Sequence, residues 1–272
     1  MRITKIEKEN IEGFSSVISQ EIASAGDLAI GAILEEKAAG AAVFSAAGEA
    51  LILDYLFVDP QFRGKGIGKQ LVMDPVQKLE PEAVHVSFEE ENEGLYGFFH
   101  KLGFAMLPGA RIYSVTIKSL LGSDMAKRLL GMKSGEKSLR LEELRSGQRR
   151  MLEGKLRHAG LERLLTDEVL HSSLSLASID GASGQPNACI LCTRPEQEIF
   201  VELLFSEAND ITTLSGLFLG FYEELKKEKL LGEELVFVSD TEGVVELVKR
   251  MARGTLKERG RMIDGFWEQT QK

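Results

Sequence analysis

The chain has 272 residues, 43% of them hydrophobic, enough apolar surface for one large core or two ordinary ones, and two domains are expected. Its formal net charge of −9 excludes sequence-independent nucleic-acid binding, which relies on a broad basic surface. No apolar run is long enough to span a bilayer, and the opening Met1-Arg2-Ile3-Thr4-Lys5 is too charged for a signal peptide, so a cytoplasmic protein without a membrane partner is expected.

In chain order, the patterning predicts a strand from Arg2 to Ile6 and a helix from Ile11 to Ala25. Strands from Leu28 to Glu35, Ala41 to Ser45 and Ala50 to Val58 follow. A glycine turn then opens a helix from about Gly66 to Leu79, which Pro75 should kink or shorten. A strand from Ala83 to Phe88, a helix from Glu93 to Lys101 and a strand from Arg111 to Leu120 complete a mixed α/β (α+β) unit, a central sheet with helices on both faces. Residues 122–137, with Gly122, Gly131 and Gly135 among basic residues, read as a linker between domains at 1–121 and 138–272. Cys189 and Cys192 lie in an apolar strand, where residues three apart face opposite sides; they are expected as buried fillers, and no metal is expected.

The second half repeats the first in outline. Glu202-Leu203-Leu204-Phe205 parallels Asp54-Tyr55-Leu56-Phe57 at an offset of 148 positions, and Gly68 then falls on Gly216. Yet Gly64 falls on Thr212 and Gly66 on Leu214, side chains that would block close approach of a ligand to the backbone. Residues 138–272 are therefore read as a degenerate copy.

The most telling stretch runs from Leu56 to Leu71, an apolar strand feeding a basic, glycine-rich turn that opens a helix. Exposed N–H groups at a helix N-terminus, backed by the helix dipole, bind phosphate. Gly64, Gly66 and Gly68 let a diphosphate approach, and Arg63, Lys65 and Lys69 add charge at the rim. The spacing fits neither a Walker loop nor the dinucleotide fingerprint. It fits Q-x-x-G-x-G from Gln61 to Gly66, which resembles the acetyl-CoA signature of the GNAT N-acetyltransferase superfamily. A second match supports it: the strand Val84 to Phe88, Asn92 as helix opener, and the aromatic-x-x-x-Gly-Phe string Phe99 to Phe104.

The resemblance implies a tandem GNAT-like protein that uses acetyl-CoA as co-substrate and acetylates a primary amine of a small molecule or peptide. It implies that the strands flanking the glycine turn part to admit the acyl-pantetheine, so that backbone groups of Leu56, Phe57 and Val58 face the thioester. Ile67, Asn92 and Phe99 complete the implied cofactor set. Many family members carry a tyrosine acid at the position of Phe99 and a glutamate base at that of Ser87; neither side chain here can replace them. Asp54, expected on one strand face with Ile52, Leu56 and Val58, then becomes a candidate base, as do Glu89 and His85, while Tyr96 becomes a candidate acid. The missing groups leave a second reading, a non-catalytic acyl-CoA sensor or scaffold. A homodimer is left open.

Overall fold

The computed structural model describes all residues except 133–134, 159–160, 162–164, 166–169, 196–197, 208–210, 253 and 270–272. The strands are β1 Arg2–Lys5, β2 Leu28–Leu34, β3 Lys37–Ala47, β4 Ala50–Val58, β5 Ala83–Glu89, β6 Ala105–Thr116, β7 Lys137–Arg140, β8 Leu176–Ile179, β9 Pro186–Thr193, β10 Ile199–Ser206, β11 Glu234–Ser239 and β12 Lys257–Glu268. The helices among the described residues are α1 Gln20–Ala25, α2 Ile67–Leu79, α3 Glu93–Lys101, α4 Ile117–Leu121, α5 Asp124–Leu130, α6 Ser146–His158, α7 Ile211–Lys227 and α8 Glu242–Met251. Two compact units emerge, residues 1–109 with 261–272, and residues 110–260. That division differs from the expected one at 121 and 138. Strand β6 begins in the first unit and ends in the second, and the segment read as a linker holds α5 inside the second unit.

In the first unit the strand order is β1-β2-β3-β4-β5-β12, antiparallel except for the parallel pair β4/β5. One face packs Ile67, Leu71, Val72 and Val76 of α2 and Phe99 of α3 onto Leu51, Leu53, Val84 and Val86. Each such side chain taken fully from water contributes on the order of 1.5–3 kcal/mol. That burial explains why Pro75 neither ends nor shortens α2: it is itself buried, and the packed face outweighs the missing N–H. On the other face Phe14, Val17 and Ile18 cover Ala29, Ala41 and Val43. The helix expected from Ile11 to Ala25 breaks there into a 3-10 turn at Ile11–Phe14 and α1, because Ser19 starts a new helix by accepting a hydrogen bond from the Ile22 N–H at 3.3 Å.

In the second unit the order is β6-β11-β10-β9-β8-β7, again antiparallel apart from one parallel pair, β10/β11. Leu217, Phe221 and Leu225 of α7 pack on one face, and Leu152 and Leu156 of α6 on the other. Cys192 belongs to the first cluster and Cys189 to the second, opposite faces of β9. Both thiols are free and buried.

The two units repeat in detail. In β4 the register with β3 shifts between Leu53 and Tyr55, which leaves Asp54 as the extra residue of a bulge, and the parallel pairing with β5 stops at Leu53. In β10 the register with β9 shifts around Glu202, and the parallel pairing with β11 stops at Val201. Asp54 and Glu202 are separated by the same 148 positions as the sequence repeat. The strands after α3 and α8 are exchanged. Residues Arg111–Thr116 of β6 pair with β11 in the second unit, and Met262–Glu268 of β12 pair with β5 in the first.

Candidate active site

The site grows out of the end of β4. Four rungs join β4 to β5, from Ala50↔Ala83 to Leu53↔Val86, while β4 stays paired with β3 as far as Val58. The pairing of β4 with β5 ends at Leu53, and β5 is held on its far side by β12. The Asp59 N–H bonds the Ala39 carbonyl at 3.0 Å, so backbone alternation turns Phe57 toward β3 and Leu56 and Val58 toward the opening. The Arg63 Nε donates to the Val58 carbonyl at 3.0 Å, which closes one acceptor of that edge and fixes Arg63 at its rim.

The glycine turn follows directly. Asp59 accepts from the Gln61 side chain at 3.0 Å and its N–H at 2.9 Å, bonds that hold its carboxyl below the usual aspartate range. Phe62 is buried under the turn, and the Lys65 ammonium lies 5.2 Å from its ring centre. Gly64 (φ +76°) and Gly66 (φ +79°) both take the left-handed conformation, and a Cβ on either would meet nothing within 4 Å. Gly66 caps α2 without a side chain; the Gln70 N–H is the first to bond back, to the Gly66 carbonyl at 3.1 Å. Helix geometry therefore leaves the N–H groups of Ile67, Gly68 and Lys69 without intrahelical acceptors. This space suits a diphosphate. Gly68 serves a different purpose, since a Cβ there would lie 3.3 Å from the Phe98 ring of α3. Its small size sets the distance between the two helices.

The remaining candidates separate. Asp54 is exposed, and the bulge it occupies breaks the expected strand parity: Leu56 and Val58 pack with Leu51 and Leu53, while Ile52 is exposed. The apolar enclosure expected for Asp54 from Ile52, Leu56 and Val58 is therefore absent. Glu89 is exposed at the end of β5, the strand that forms the far wall of the opening. Tyr96 is 44% exposed on α3, its ring 6.3 Å from that of His100. Asn92 caps α3 by accepting from the Leu95 N–H at 3.3 Å. Phe99 is 1% exposed and stacks on Phe88 at 5.7 Å, with Phe104 and Phe98 edge-on, so it serves the core. His85 lies edge-on against Phe266 of β12 at 4.8 Å.

Sequence reasoning missed Asp264. It stands opposite Ser87 in the β5/β12 register, and the Ser87 hydroxyl donates to its Oδ1 at 2.8 Å. Because 177 positions separate the two, only strand pairing reveals them as neighbours. The Tyr55 hydroxyl donates to the Val17 carbonyl at 2.8 Å and ties the segment before α1 to β4; burial raises its pKa. Elsewhere in this unit, Arg2, Asn10, Phe14, Ile33 and Glu36 line a separate cavity of about 390 Å³ away from the glycine turn. Among the described residues no three His, Cys, Asp or Glu side chains gather as a metal site, and no helix is long and apolar enough to cross a membrane.

Residues 3–129 match a family model described as an acetyltransferase (GNAT) domain. The chain is similar over 98% of its length, at TM-score 0.68 and 10% identity, to 98% of a tandem GNAT protein from the clavulanic acid biosynthesis pathway. It is similar at TM-score 0.61 and 9% identity to a conserved protein from Enterococcus faecalis V583, a probable N-acyltransferase, with 97% of this chain and 71% of that one covered. For a putative acetyltransferase from Pyrococcus horikoshii the values are 0.56 and 12%, with 99% and 89% covered. No curated protein sequence matches the chain.

Proposed function

We propose, for a chain whose residues 3–129 belong to the GNAT acetyltransferase family and whose fold is that of a tandem GNAT protein, that its first unit transfers an acetyl group from acetyl-CoA to a primary amine. One observation carries the reading: the left-handed glycine turn and the parting of β4 from β5 lie at the same end of the same strand. The amides at the front of α2 bind the diphosphate, with Arg63, Lys65 and Lys69 around it. The exposed edge of β4 at Leu56 and Val58 holds the pantetheine arm, and an N–H of that edge stabilises charge growing on the acyl oxygen. Acetyl-CoA, when bound, supplies the acyl group already activated as a thioester. Asp54 and Glu89, on the two walls of the opening, draw a cationic amine toward it, and Tyr96 is the remaining hydroxyl candidate for the acid role.

The acceptor is a small molecule or peptide amine, and the setting is cytoplasmic. In this reading residues 1–121 hold the working copy of the fold, completed by β12, and residues 138–272 a degenerate one. A second reading, a sensor or scaffold that binds acyl-CoA without turnover, draws on one fact: Phe99 is buried and has no hydroxyl. Incubation with acetyl-CoA and a panel of primary amines, followed by free thiol release, separates the two. Transfer requires at least one amine that raises the rate above hydrolysis; a flat panel with intact CoA binding selects the sensor.

A further inference from the structure

We propose that Asp264, on the strand returning from the carboxy-terminal end of the chain, takes the proton of the acceptor amine through the Ser87 hydroxyl; the inference rests on the acyl-transfer reading and deepens it. The last rung between β4 and β5 is Leu53↔Val86, so Ser87 is the first β5 residue past the fork. Asp264 faces it across the β5/β12 ladder, where paired residues share a face of the sheet. The hydroxyl hydrogen of Ser87 is committed to Asp264 at 2.8 Å, which leaves the Ser87 oxygen as an acceptor. Gly109 makes room for this carboxylate, since a Cβ there would collide with it. A hydroxyl on one side and a glycine on the other thus hold Asp264 in place. Ser87 is itself exposed and open to an amine from solvent, and Glu89 is exposed two residues further on, at the end of the same strand.

Such fixed placement favours proton transfer. The ammonium gives one proton to the Ser87 oxygen while the Ser87 hydroxyl proton passes to Asp264, so serine is unchanged and the carboxylate becomes carboxylic acid. The nitrogen lone pair forms the C–N bond, and the C–S bond breaks with its electron pair on sulfur. The second nitrogen proton goes to that sulfur to give the free thiol, and Asp264 returns its proton to solvent.

The test is steady-state kinetics of full-length Asp264→Asn and Ser87→Ala with an amine the wild type accepts, alongside CoA-dependent thermal stabilisation. Asp264→Asn is expected to lower kcat roughly 100-fold, and Ser87→Ala roughly tenfold, with the KM for acetyl-CoA and the CoA-dependent stabilisation unchanged. Asp264→Glu should recover part of the loss, since it keeps the carboxylate. An Asp264→Asn protein that turns over within twofold of wild type overturns the assignment. So does one that loses turnover and CoA stabilisation together, because that marks a structural role. Should that variant fail to fold, an unchanged kcat in Ser87→Ala overturns it alone. A wild type that acetylates no amine sinks the transfer reading and this one with it.

Discussion

Three glycines in five positions do two different jobs, and substitution should tell them apart. Gly66 sits at φ +79° with open space around it, so a valine there strains the backbone by more than the roughly 1–2 kcal/mol an ordinary residue costs in that region. Relaxation toward negative φ turns the capping peptide and scatters the amides in front of α2. Gly66→Val should therefore fold, with a modestly lower Tm, yet lose the stabilisation that CoA gives the wild type, about 2.7 kcal/mol at a hundred times Kd. Differential scanning fluorimetry with and without CoA reads this directly, and persistence of the shift would place the nucleotide elsewhere. The cysteines make the opposite case, chemistry that burial silences. Burial pushes the Cys189 thiol up to about 12 and raises that of Cys192 as well. A thiol whose folded pKa is raised stabilises the fold below its unfolded pKa, near 9, and loses that contribution as pH climbs toward the folded value. Each should cost about 1.4 kcal/mol per pH unit between roughly pH 9 and 12. Urea denaturation across that window should show the fall in stability, and Cys189→Ala should make it shallower.

At the scale of elements, what could be read from the sequence was what is encoded locally. The apolar run into Gly64-x-Gly66 marks both the end of β4 and the start of α2, because a helix that opens on left-handed glycine needs that residue and no distant partner. The repeat at 148 positions carried through to a pair of bulges and a pair of truncated parallel ladders. What escaped was everything decided by pairing. Strict alternation put Asp54 on one face with Leu56 and Val58, whereas the bulge reverses the parity at that residue, and a single extra residue in one strand leaves no mark in composition. Strand β12 carries none of the motifs and lies far from them along the chain, yet Ile263 joins the core of the first unit and Asp264 reaches Ser87. Pro75 shows local chemistry losing to packing. The Ile11 to Ala25 helix shows the reverse, a long pattern cut by one capping serine.

At the scale of the whole molecule, two copies of one fold raise the question of how many nucleotides a chain holds. The bulge and the parted ladder are present twice, so an opening between strands does not distinguish the copies. The helix start does. In the first unit α2 begins at Ile67, preceded by two left-handed glycines; the equivalent of Ile67 is Ser215, but α7 already runs from Ile211. At least one helical turn in the second unit occupies positions where the first has its phosphate turn, so the amides equivalent to those of Ile67, Gly68 and Lys69, on Ser215, Gly216 and Leu217, lie inside α7 and bond along the helix. Thr213 and Ser215, within that turn, are buried. A chain with one such cradle among its described residues should bind one CoA. Isothermal titration with CoA is expected to give a stoichiometry near one per chain for the wild type. In Gly66→Val it should find no site, because the second copy cannot substitute for the first. A value near two, or a site surviving in that variant, would mean that the parted strands alone hold the nucleotide and that the glycine turn is incidental.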